Sequence, residues 1–303
     1  MKIAVDLLWW RIGSMGGVEA FVTNLLSGLA LCTDSDTKFI LMVSKDNREY
    51  IERLRFPKGT LIYEMGTRSM NRTITMFYQM FAIGRAVAYL GADLLFVPTP
   101  IYPVRKIGVP VVITIHDLKN LHFPNSVSKS RYLKDRMCWR FSVRNSDVIV
   151  AISDFVRRDL STSLNVESRK IKRIYNPVEV SDVRCTFDSL SEMYGIEKGR
   201  YLYTVSSLAK HKNTEVLIKL MSLLKKSSNT TGVNKLVISG VGRKHHRRLH
   251  ELAESLSVKE AVITTGFVEE SERNSLYENA YAFVFPSIFE GFGMPPIEAL
   301  MIG

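Results

Sequence analysis

The sequence has few cysteines and no long apolar run, and each of these absences argues against a class of protein. Its three cysteines, Cys32, Cys138 and Cys185, lie far apart and form no C-x-x-C pair. This spacing argues against a disulfide framework or a zinc site and favours a reducing cytoplasm. Asp6 interrupts the first apolar stretch, so that stretch does not fit a signal peptide. Because no stretch of about 18 apolar residues occurs, we expect no transmembrane helix.

The length and composition fit a folded protein of about two domains. The chain has 303 residues, of which 46% are hydrophobic, and this suffices for a sizeable core. Domains of roughly 150 residues are common, so the length suggests two of them. Nothing in the composition indicates disorder, collagen or a disulfide scaffold.

The positive charge is confined to the first half of the chain. Residues 1–178 contain 26 Lys/Arg and 15 Asp/Glu, which accounts for the whole formal net charge of +11, and residues 179–303 contain 15 of each. A one-sided field attracts an anionic partner, such as a membrane surface, a phosphorylated substrate or nucleic acid. A merely solvated basic face is the alternative. We expect no nucleic-acid partner, because RNP, KH and helix-turn-helix signals are lacking.

Apolar strands alternate with amphipathic helices in both halves. The strand runs are continuous and β-branched, which is typical of strands buried on both faces of a parallel sheet, and the alternation predicts doubly wound α/β domains. In the first half the predicted strands are 2–8, 38–43, 60–64, 94–97, 109–115 and 148–151, and the predicted helices are 18–30, 47–55, 73–90, 128–145 and 154–164. In the second half they are strands 201–205, 235–239, 261–264 and 282–286, and helices 213–225, 243–256, 270–279 and 295–301.

A domain boundary is predicted near Asn176-Pro177, a turn signal that a polar stretch follows. The domains are therefore 1–178 and 179–303. The second domain has about four predicted strands, whereas an open sheet of this type normally has five or six. We therefore expect the second domain to be incomplete at its C-terminus.

The clearest site signal is the segment 286–299, in which a predicted strand ends, a glycine loop follows and a helix begins at prolines. Gly291 and Gly293 let backbone N–H groups approach a ligand closely, and the helix N-terminus adds partial positive charge. Glu290 and Glu298 are carboxylates suited to the hydroxyls of a polyol. The alternative is a tight structural turn with a solvated Glu298.

This segment resembles the E-x7-E signature of retaining glycosyltransferases of family four, with Glu290 and Glu298 as the two glutamates. Other segments of the chain are similar to the family as well. They are 205–213 for V-G-x-L-x-x-x-K-N, 236–242 for L-x-I-x-G-x-G, 266–268 for G-x-V, 174–178 for the end of the first domain, and Gly16-Gly17-Val18-Glu19 for the N-terminal glycine loop. The resemblance thus spans the whole chain.

The resemblance implies the GT-B architecture, in which two Rossmann-like domains face a cleft. Domain 1–178 would hold the acceptor, and domain 179–303 would hold the nucleotide-sugar donor. Glu298 would bond the ribose hydroxyls and Lys212 the donor pyrophosphate. The transferred sugar would be bound by Glu290 together with the three residues that follow it, which are Gly291, Phe292 and Gly293.

The phosphate segment departs from the family pattern at two adjacent positions. Many members have Arg where this chain has Ser207, and Ser206 replaces the usual Gly. Lys210 or His211 could supply the missing basic group, and the sequence does not decide between them.

Two further candidate groups follow predicted strands of the first half. His116 and Asp117 come directly after a strand, where α/β domains place ligand groups. The resemblance implies that His116 contacts the donor sugar, and Asp117 could orient its ring; a strand-end His that caps a turn is the alternative. Gly16 and Gly17 precede a predicted helix. This arrangement lets the backbone approach a phosphate group, and a plain turn between strand and helix is the alternative.

Two basic helices are predicted, and we interpret them differently. Helix 128–145 interleaves six basic residues with aromatic ones, which suits binding to a membrane surface or a phosphorylated acceptor. The alternative is an ordinary packed helix whose basic side chains extend to solvent. In helix 243–256, His246 and His250 are spaced i, i+4 beside His245, but no carboxylate or Cys completes a metal site, so we expect a solvated face and no metal.

The predicted reaction is transfer of a hexose from a nucleoside-diphosphate sugar to an acceptor hydroxyl with retention, as the family implies. Mannose from GDP-mannose is the first choice because the motif variants resemble mannosyl-transferring branches, with UDP-linked sugars as the alternative. The expected setting is surface polysaccharide or lipopolysaccharide assembly on a lipid-linked or saccharide acceptor. We expect no cofactor or metal, and a cytoplasmic protein that contacts the inner face of an anionic membrane peripherally. The other hypotheses are a GT-B-type epimerase or phosphorylase, a basic nucleic-acid-binding protein and an inactive fragment.

Overall fold

The computed structural model describes residues 1–13, 16–31, 36–100, 104–227 and 231–303, so Cys32 lies outside the described residues. The chain folds into two compact units, unit 1 (Met1–Val178) and unit 2 (Glu179–Gly303). Each unit is built around a parallel sheet. None of the helices in the described ranges is long and apolar enough to cross a membrane.

Unit 1 consists of strands that alternate with helices. Its strands are β1 (Lys2–Asp6), β2 (Lys38–Val43), β3 (Leu61–Glu64), β4 (Leu94–Val97), β5 (Val111–Ile115), β6 (Val148–Ala151) and β7 (Ile171–Arg173). Its α-helices are α1 (Gly17–Leu31), α2 (Arg48–Glu52), α3 (Arg72–Phe77), α4 (Ile83–Tyr89), α5 (Lys119–His122), α6 (Lys129–Asn145) and α7 (Asp154–Leu164). A π-helical turn, Tyr78–Ala82, joins α3 to α4.

The strand order places a crevice at one edge of this sheet. In the part of unit 1 that the structure describes, the order is β3-β2-β1-β4-β5-β6-β7, and every pairing is parallel. Ile3 of β1 is therefore paired with Phe39 of β2 and with Leu94 of β4. The connections diverge between β1 and β4, and doubly wound sheets bind ligands at the carboxyl ends of strands where this happens.

Buried aliphatic side chains hold the sheet of unit 1 against its helices. The last four residues of β2, Ile40–Val43, are all buried, as expected for a strand that is covered on both faces. Phe21 and Leu26 of α1 pack in one cluster with Leu41 and Val43. The continuous apolar run of β2 is thus explained by burial on both sides.

Strand β1 ends earlier than predicted, at Asp6 rather than at Leu8. The buried Asp6 carboxylate accepts hydrogen bonds from Leu8 N (3.0 Å) and Gln79 Nε2 (2.6 Å), which turns the chain out of the sheet while Leu7 and Leu8 stay buried. Burial raises the pKa of Asp6 to about 6, although these hydrogen bonds lower it. Strand β7 and helix α5 are absent from the predicted elements, because three or four residues are too short to show a period.

Unit 2 has the same alternation. Its strands are β8 (Tyr201–Val205), β9 (Lys235–Ser239), β10 (Val262–Gly266) and β11 (Ala282–Phe283). Its α-helices are α8 (Phe187–Tyr194), α9 (Glu215–Lys226), α10 (His246–Ser255), α11 (Glu270–Glu278) and α12 (Met294–Ile302). Strand β11 is shorter than the predicted strand 282–286, and α8 lies in the polar stretch that was read as a boundary.

In unit 2 as well, the order in which the chain adds strands to the sheet reverses beside the first strand. Among the described residues its order is β10-β9-β8-β11, with every pairing parallel. The chain builds outward from β8 to β10 and then returns to the other side of β8 with β11. The carboxyl ends of β8 and β11 therefore form the second place at which a doubly wound sheet leaves a crevice.

Gly240 lets the connection after β9 pass against the end of β8. Its φ is +84°, and a Cβ atom built on it would lie 2.7 Å from the carbonyl oxygen of Ser206. Ser206 N donates to Ser239 O (2.9 Å) and Gly240 N to Gly266 O (2.7 Å), so the ends of three neighbouring strands are tied together here. A residue without Cβ fits both the close approach and the left-handed backbone.

The variant Gly240→Ala should destabilise the protein by about 1–3 kcal/mol, because the new methyl group meets a backbone oxygen and the positive φ disfavours alanine. Gly242→Ala is the matched control, since a Cβ atom there meets nothing within 4 Å. Urea unfolding of both variants measures the difference. Equal losses of stability would contradict the close approach as the cause.

Candidate functional site

Two loops of unit 2 meet at the point where the strand order of its sheet reverses. One follows β8 and the other follows β11, and these strands are neighbours. Ile288 N donates to His211 O (2.8 Å), and Asn213 Nδ2 donates to Pro286 O (3.4 Å). Asn213 has φ +52° and so turns the first loop into α9. The two loops are therefore fixed to each other by backbone oxygens rather than by side-chain packing alone.

Lys212 and Glu290 form an ion pair across these loops. Lys212 Nζ lies 2.6 Å from Glu290 Oε1, and the two side chains are 23% and 24% exposed. The ammonium group also lies 5.6 Å from the ring centroid of Phe285. A cation and a carboxylate that are both partly shielded from water interact more strongly with a ligand than surface charges do. The structure thus brings together two of the residues that the sequence predicted for donor binding.

The glycine loop 291–293 leads directly into α12. Gly293 is the N-cap with φ +86°, and Pro295 and Pro296 occupy the first turn, where a missing N–H costs least. Gly291 is buried and Phe292 is half-buried. Glycine has no side chain with which to cap the helix, so the N-terminus of α12 presents its partial positive charge at the crevice.

Glu298 is held in place by a residue that the sequence analysis missed. Its Oε2 accepts a hydrogen bond from the Tyr277 hydroxyl (3.2 Å), and the Glu298 side chain is half-buried rather than solvated. Burial, and next the Glu298 carboxylate, raise the pKa of Tyr277, so its hydroxyl stays protonated and donates. No local motif signals this partner, because Tyr277 lies on α11, 21 residues away.

Hydroxyl groups hold the segment after β8 in place, and this segment has Ser207 where many proteins of the family that the sequence resembles have an arginine. Ser206 Oγ and Thr214 Oγ1 lie 2.6 Å apart, and Thr214 Oγ1 donates to Ser207 O (2.9 Å). Ser207 is half-buried. Of the two basic residues that the sequence left open, His211 is buried and Lys210 is exposed. Lys210 is therefore the one whose charge a ligand can reach directly.

The reversal point of unit 1 holds a cavity of about 770 Å³. It opens at the carboxyl ends of β1, β4 and β5 and is lined there by Trp9, Thr99, His116 and Asp117. Val18, in the first turn of α1, lines it as well. Doubly wound sheets bind ligands at this place, so the cavity is a candidate ligand site.

His116 is fixed in this cavity as a neutral ring. Its Nε2 lies 2.9 Å from Pro98 O, and because a carbonyl oxygen can only accept, Nε2 carries the hydrogen. Burial lowers the pKa of His116 and outweighs the hydrogen bond to Pro98 and the charge of Asp117. The ring also packs edge-on against Phe21, with centroids 4.9 Å apart. Nδ1 is therefore left as a hydrogen-bond acceptor.

Asp117 is engaged with the following helix rather than with His116. Its Oδ1 accepts from Lys119 N (3.1 Å), and its Oδ2 lies 3.7 Å from Lys119 Nζ. The orientation of His116 comes from Pro98, which the sequence analysis did not single out.

The remaining predicted residues are two glycines and a pair of histidines. Gly16 and Gly17 are exposed at the start of α1, directly before the cavity-lining Val18, and Cβ atoms on them would meet nothing within 4 Å. His246 and His250 are not on a solvated face, because they are half-buried and bonded to Val241 O (2.9 Å) and Thr264 Oγ1 (3.1 Å). Within the described ranges, no group of three His, Cys, Asp or Glu is placed to hold a metal ion.

Family models match both halves of the chain. Residues 15–182 match Glycosyltransferase Family 4, and residues 187–303 match Glycosyl transferases group 1. The two matched ranges follow the two compact units.

Individual proteins agree with this assignment. The chain is 27% identical over 294 residues to the O-antigen chain mannosyltransferase RfbU of Salmonella typhimurium, which covers 96% of this chain and 77% of that protein. It is 28% identical over 213 residues to the serotype-specific mannosyltransferase WbdA of Escherichia coli, which covers 66% of this chain and 25% of that protein. Its fold resembles Anabaena HepE in complex with UDP and glucose, with a TM-score of 0.68, 17% identity and coverage of 100% and 78% of the two chains.

The two parallel α/β units, with a crevice at the reversal point of each sheet, are those of the GT-B fold. Since the first family model alone covers more than half of the chain, the protein belongs to glycosyltransferase family 4 and is a glycosyltransferase.

Proposed function

We propose that this glycosyltransferase transfers mannose from GDP-mannose, with retention, to a saccharide acceptor in surface polysaccharide or lipopolysaccharide assembly. The observation that carries the proposal is the grouping of Lys212 and Glu290 beside the N-terminus of α12, on which Glu298 also lies. The relatives named as mannosyltransferases support mannose over other hexoses. The donor belongs to unit 2 and the acceptor to the cavity of unit 1.

In unit 2 each charged group has a partner in the donor. Glu298, held by Tyr277, accepts hydrogen bonds from the two ribose hydroxyls, because a carboxylate can accept from both at once. The diphosphate lies at the N-terminus of α12 and against Lys212. Glu290 then gives up Lys212 to the diphosphate and accepts instead from the hydroxyls of the transferred sugar.

The chemical step needs stabilisation of the leaving diphosphate, which gains negative charge as the glycosidic bond breaks. Lys212 and the amides at the start of α12 supply fixed positive charge at that place, and no metal or other cofactor is required. The leaving phosphate oxygen takes the proton of the acceptor hydroxyl. In the cavity of unit 1, neutral His116 offers Nδ1 as an acceptor that orients a substrate hydroxyl.

Glu298→Gln should weaken donor binding at least tenfold, because a charge-assisted hydrogen bond is worth about 1.5–3 kcal/mol. Calorimetric titration with GDP, GDP-mannose, UDP and UDP-glucose measures the loss and identifies the base. Glu251→Gln, which changes an exposed carboxylate on α10, is the control and should bind like the wild type. Equal binding by Glu298→Gln and wild type would contradict the ribose assignment, and tighter binding of UDP-glucose would replace mannose as the donor sugar.

Lys212→Ala should lower the turnover rate about 10²–10³-fold, since it removes the fixed cation at the leaving group. Lys219→Ala, an exposed residue of α9, should leave the rate unchanged. Rates are measured by release of nucleoside diphosphate, with and without a metal chelator, and the anomeric proton of the product reports retention. Loss of activity on chelation would contradict the role given to Lys212, and conversion of donor without acceptor would indicate an epimerase.

An exposed apolar face on α3 and the following helical turns supports peripheral contact with an anionic membrane. Ile74, Phe77 and Phe81 are 44%, 57% and 52% exposed and recur at helical spacing. Arg85 is exposed on α4, and the guanidinium carbon of Arg105 lies 5.2 Å from the Phe81 ring centroid. Aromatic side chains beside arginines fit the headgroup region of an anionic bilayer.

The double variant Phe77→Ser/Phe81→Ser should reduce binding to anionic vesicles at least tenfold, because two aromatic side chains no longer enter the interface. Phe267→Ser/Leu223→Ser, which replaces two exposed apolar residues of unit 2, should bind like the wild type. Co-sedimentation with phosphatidylcholine vesicles, with and without phosphatidylglycerol, measures both. Equal binding of the wild type to the two kinds of vesicle would contradict the preference for an anionic membrane.

A further inference from the structure

The cavity of unit 1 has a positive lining that the groups assigned to it so far do not use. Among its described lining residues are five basic ones, Arg11, Arg72, Lys119, Arg131 and Lys134. The acidic lining residues are Asp117 and Asp135, so the described lining has a formal balance of +3. Neutral His116 adds nothing to this balance. A cavity that held a neutral saccharide alone would have no need of this charge.

The carboxylates of the lining are engaged within the wall. Asp117 Oδ2 lies 3.7 Å from Lys119 Nζ, and Asp135 Oδ2 lies 3.7 Å from Arg131 Nε. Asp135 Oδ2 also accepts a hydrogen bond from Asn120 Nδ2 at 2.6 Å. The two carboxylates thus position Lys119 and Arg131 along the cavity wall without balancing the total charge.

Aromatic and hydroxyl groups line the cavity beside these cations. The half-buried Trp139 supplies a flat apolar face of the kind on which sugar rings stack, and Ser130 and Thr99 supply hydroxyls. Guanidinium groups match the oxygens of a phosphate in pairs, and ammonium groups add charge. The volume of about 770 Å³ is that of a site for a ligand of sugar-phosphate size.

We propose that the cavity of unit 1 contains an anion subsite, in which Arg131 and Lys134 of α6, with Arg11, Arg72 and Lys119, hold a phosphate or diphosphate group attached to the acceptor saccharide. The inference rests on the proposed acceptor role of unit 1. It names the chemical class of that acceptor, a phosphorylated saccharide, which is either a soluble glycosyl phosphate or a lipid-linked diphosphate.

The first experiment uses inorganic pyrophosphate as the probe and the whole chain with its nucleotide site saturated by GDP or UDP, whichever binds. Arg131→Ala/Lys134→Ala should weaken pyrophosphate binding at least tenfold in calorimetric titration. Lys129→Ala/Arg136→Ala is the matched control, because it removes the same charge from positions of the same helix that do not line the cavity, and it should bind within about twofold of wild type. Asp135→Asn should bind more tightly, since it removes a negative charge from the wall.

Equal weakening by the two double variants would overturn the proposal, because the general field of unit 1 and not the cavity would then attract the anion. Absence of pyrophosphate binding in the wild type with the nucleotide site filled would overturn it too. Nucleotide binding and its loss in Glu298→Gln are measured in the same titrations. A failure of the donor assignment is therefore seen separately from a failure of the anion subsite.

The acceptor itself is tested by kinetics with phosphorylated and unphosphorylated forms of one saccharide. Arg131→Ala/Lys134→Ala should raise KM at least tenfold for a soluble glycosyl phosphate or for a lipid-linked diphosphate, and leave KM for the unphosphorylated saccharide unchanged. A KM increase for the lipid-linked diphosphate alone identifies that compound as the ligand of the subsite. An increase for both phosphorylated forms shows that the phosphate group is sufficient for recognition. An equal change for the phosphorylated and unphosphorylated saccharides would overturn the proposal.

Discussion

The site of unit 2 depends on one topological constraint, the return of a parallel sheet to the other side of its first strand. Because β8 and β11 are neighbours, the loops after their carboxyl ends meet, although Lys212 and Glu290 are 78 residues apart in the chain. Loops that follow diverging connections cannot cover each other, so the crevice stays open. The same constraint operates between β1 and β4 of unit 1, where the cavity lies. In each unit the strand order therefore sets a place for a ligand before any side chain is chosen.

The ion pair of Lys212 and Glu290 lowers the free-energy cost of holding two charged groups in a partly buried crevice. An isolated charge held away from water is costly, whereas a close pair satisfies both partners until the ligand arrives. In the proposed donor complex, the nucleoside-diphosphate sugar brings an anion for Lys212 and hydroxyls for Glu290, so both groups exchange one partner for another. The backbone hydrogen bond from Ile288 N to His211 O keeps the two loops together during this exchange. The two charged groups are thus held in place before a ligand binds, and neither lacks a partner of opposite charge.

The sequence predicts those features that burial and local spacing determine. Strands β2, β4 and β6 were predicted with the bounds that the structure has, because continuous aliphatic runs mark strands covered on both faces. The E-x7-E segment was recognisable because its residues are close in the chain. Contacts between distant segments leave no such pattern, which is why Tyr277 beside Glu298 and the Pro98 carbonyl beside His116 were not predicted. The cations of the unit 1 cavity come from four separate segments and form a group only in the folded chain.

The distribution of charge between the units fits the roles proposed for them. Unit 2 has no net charge, although a nucleoside diphosphate is anionic, so the proposed donor site relies on a few fixed groups such as Lys212 and the start of α12. Charges in water act over about 8 Å at physiological ionic strength, so the excess of +11 in residues 1–178 acts on whatever touches unit 1. Part of that excess is concentrated in the wall of a cavity, where solvent screens it less than on an open face. If unit 1 binds the acceptor as proposed, a charge placed there contributes to selection among acceptors, whereas the exposed remainder attracts the surface on which such acceptors are presented.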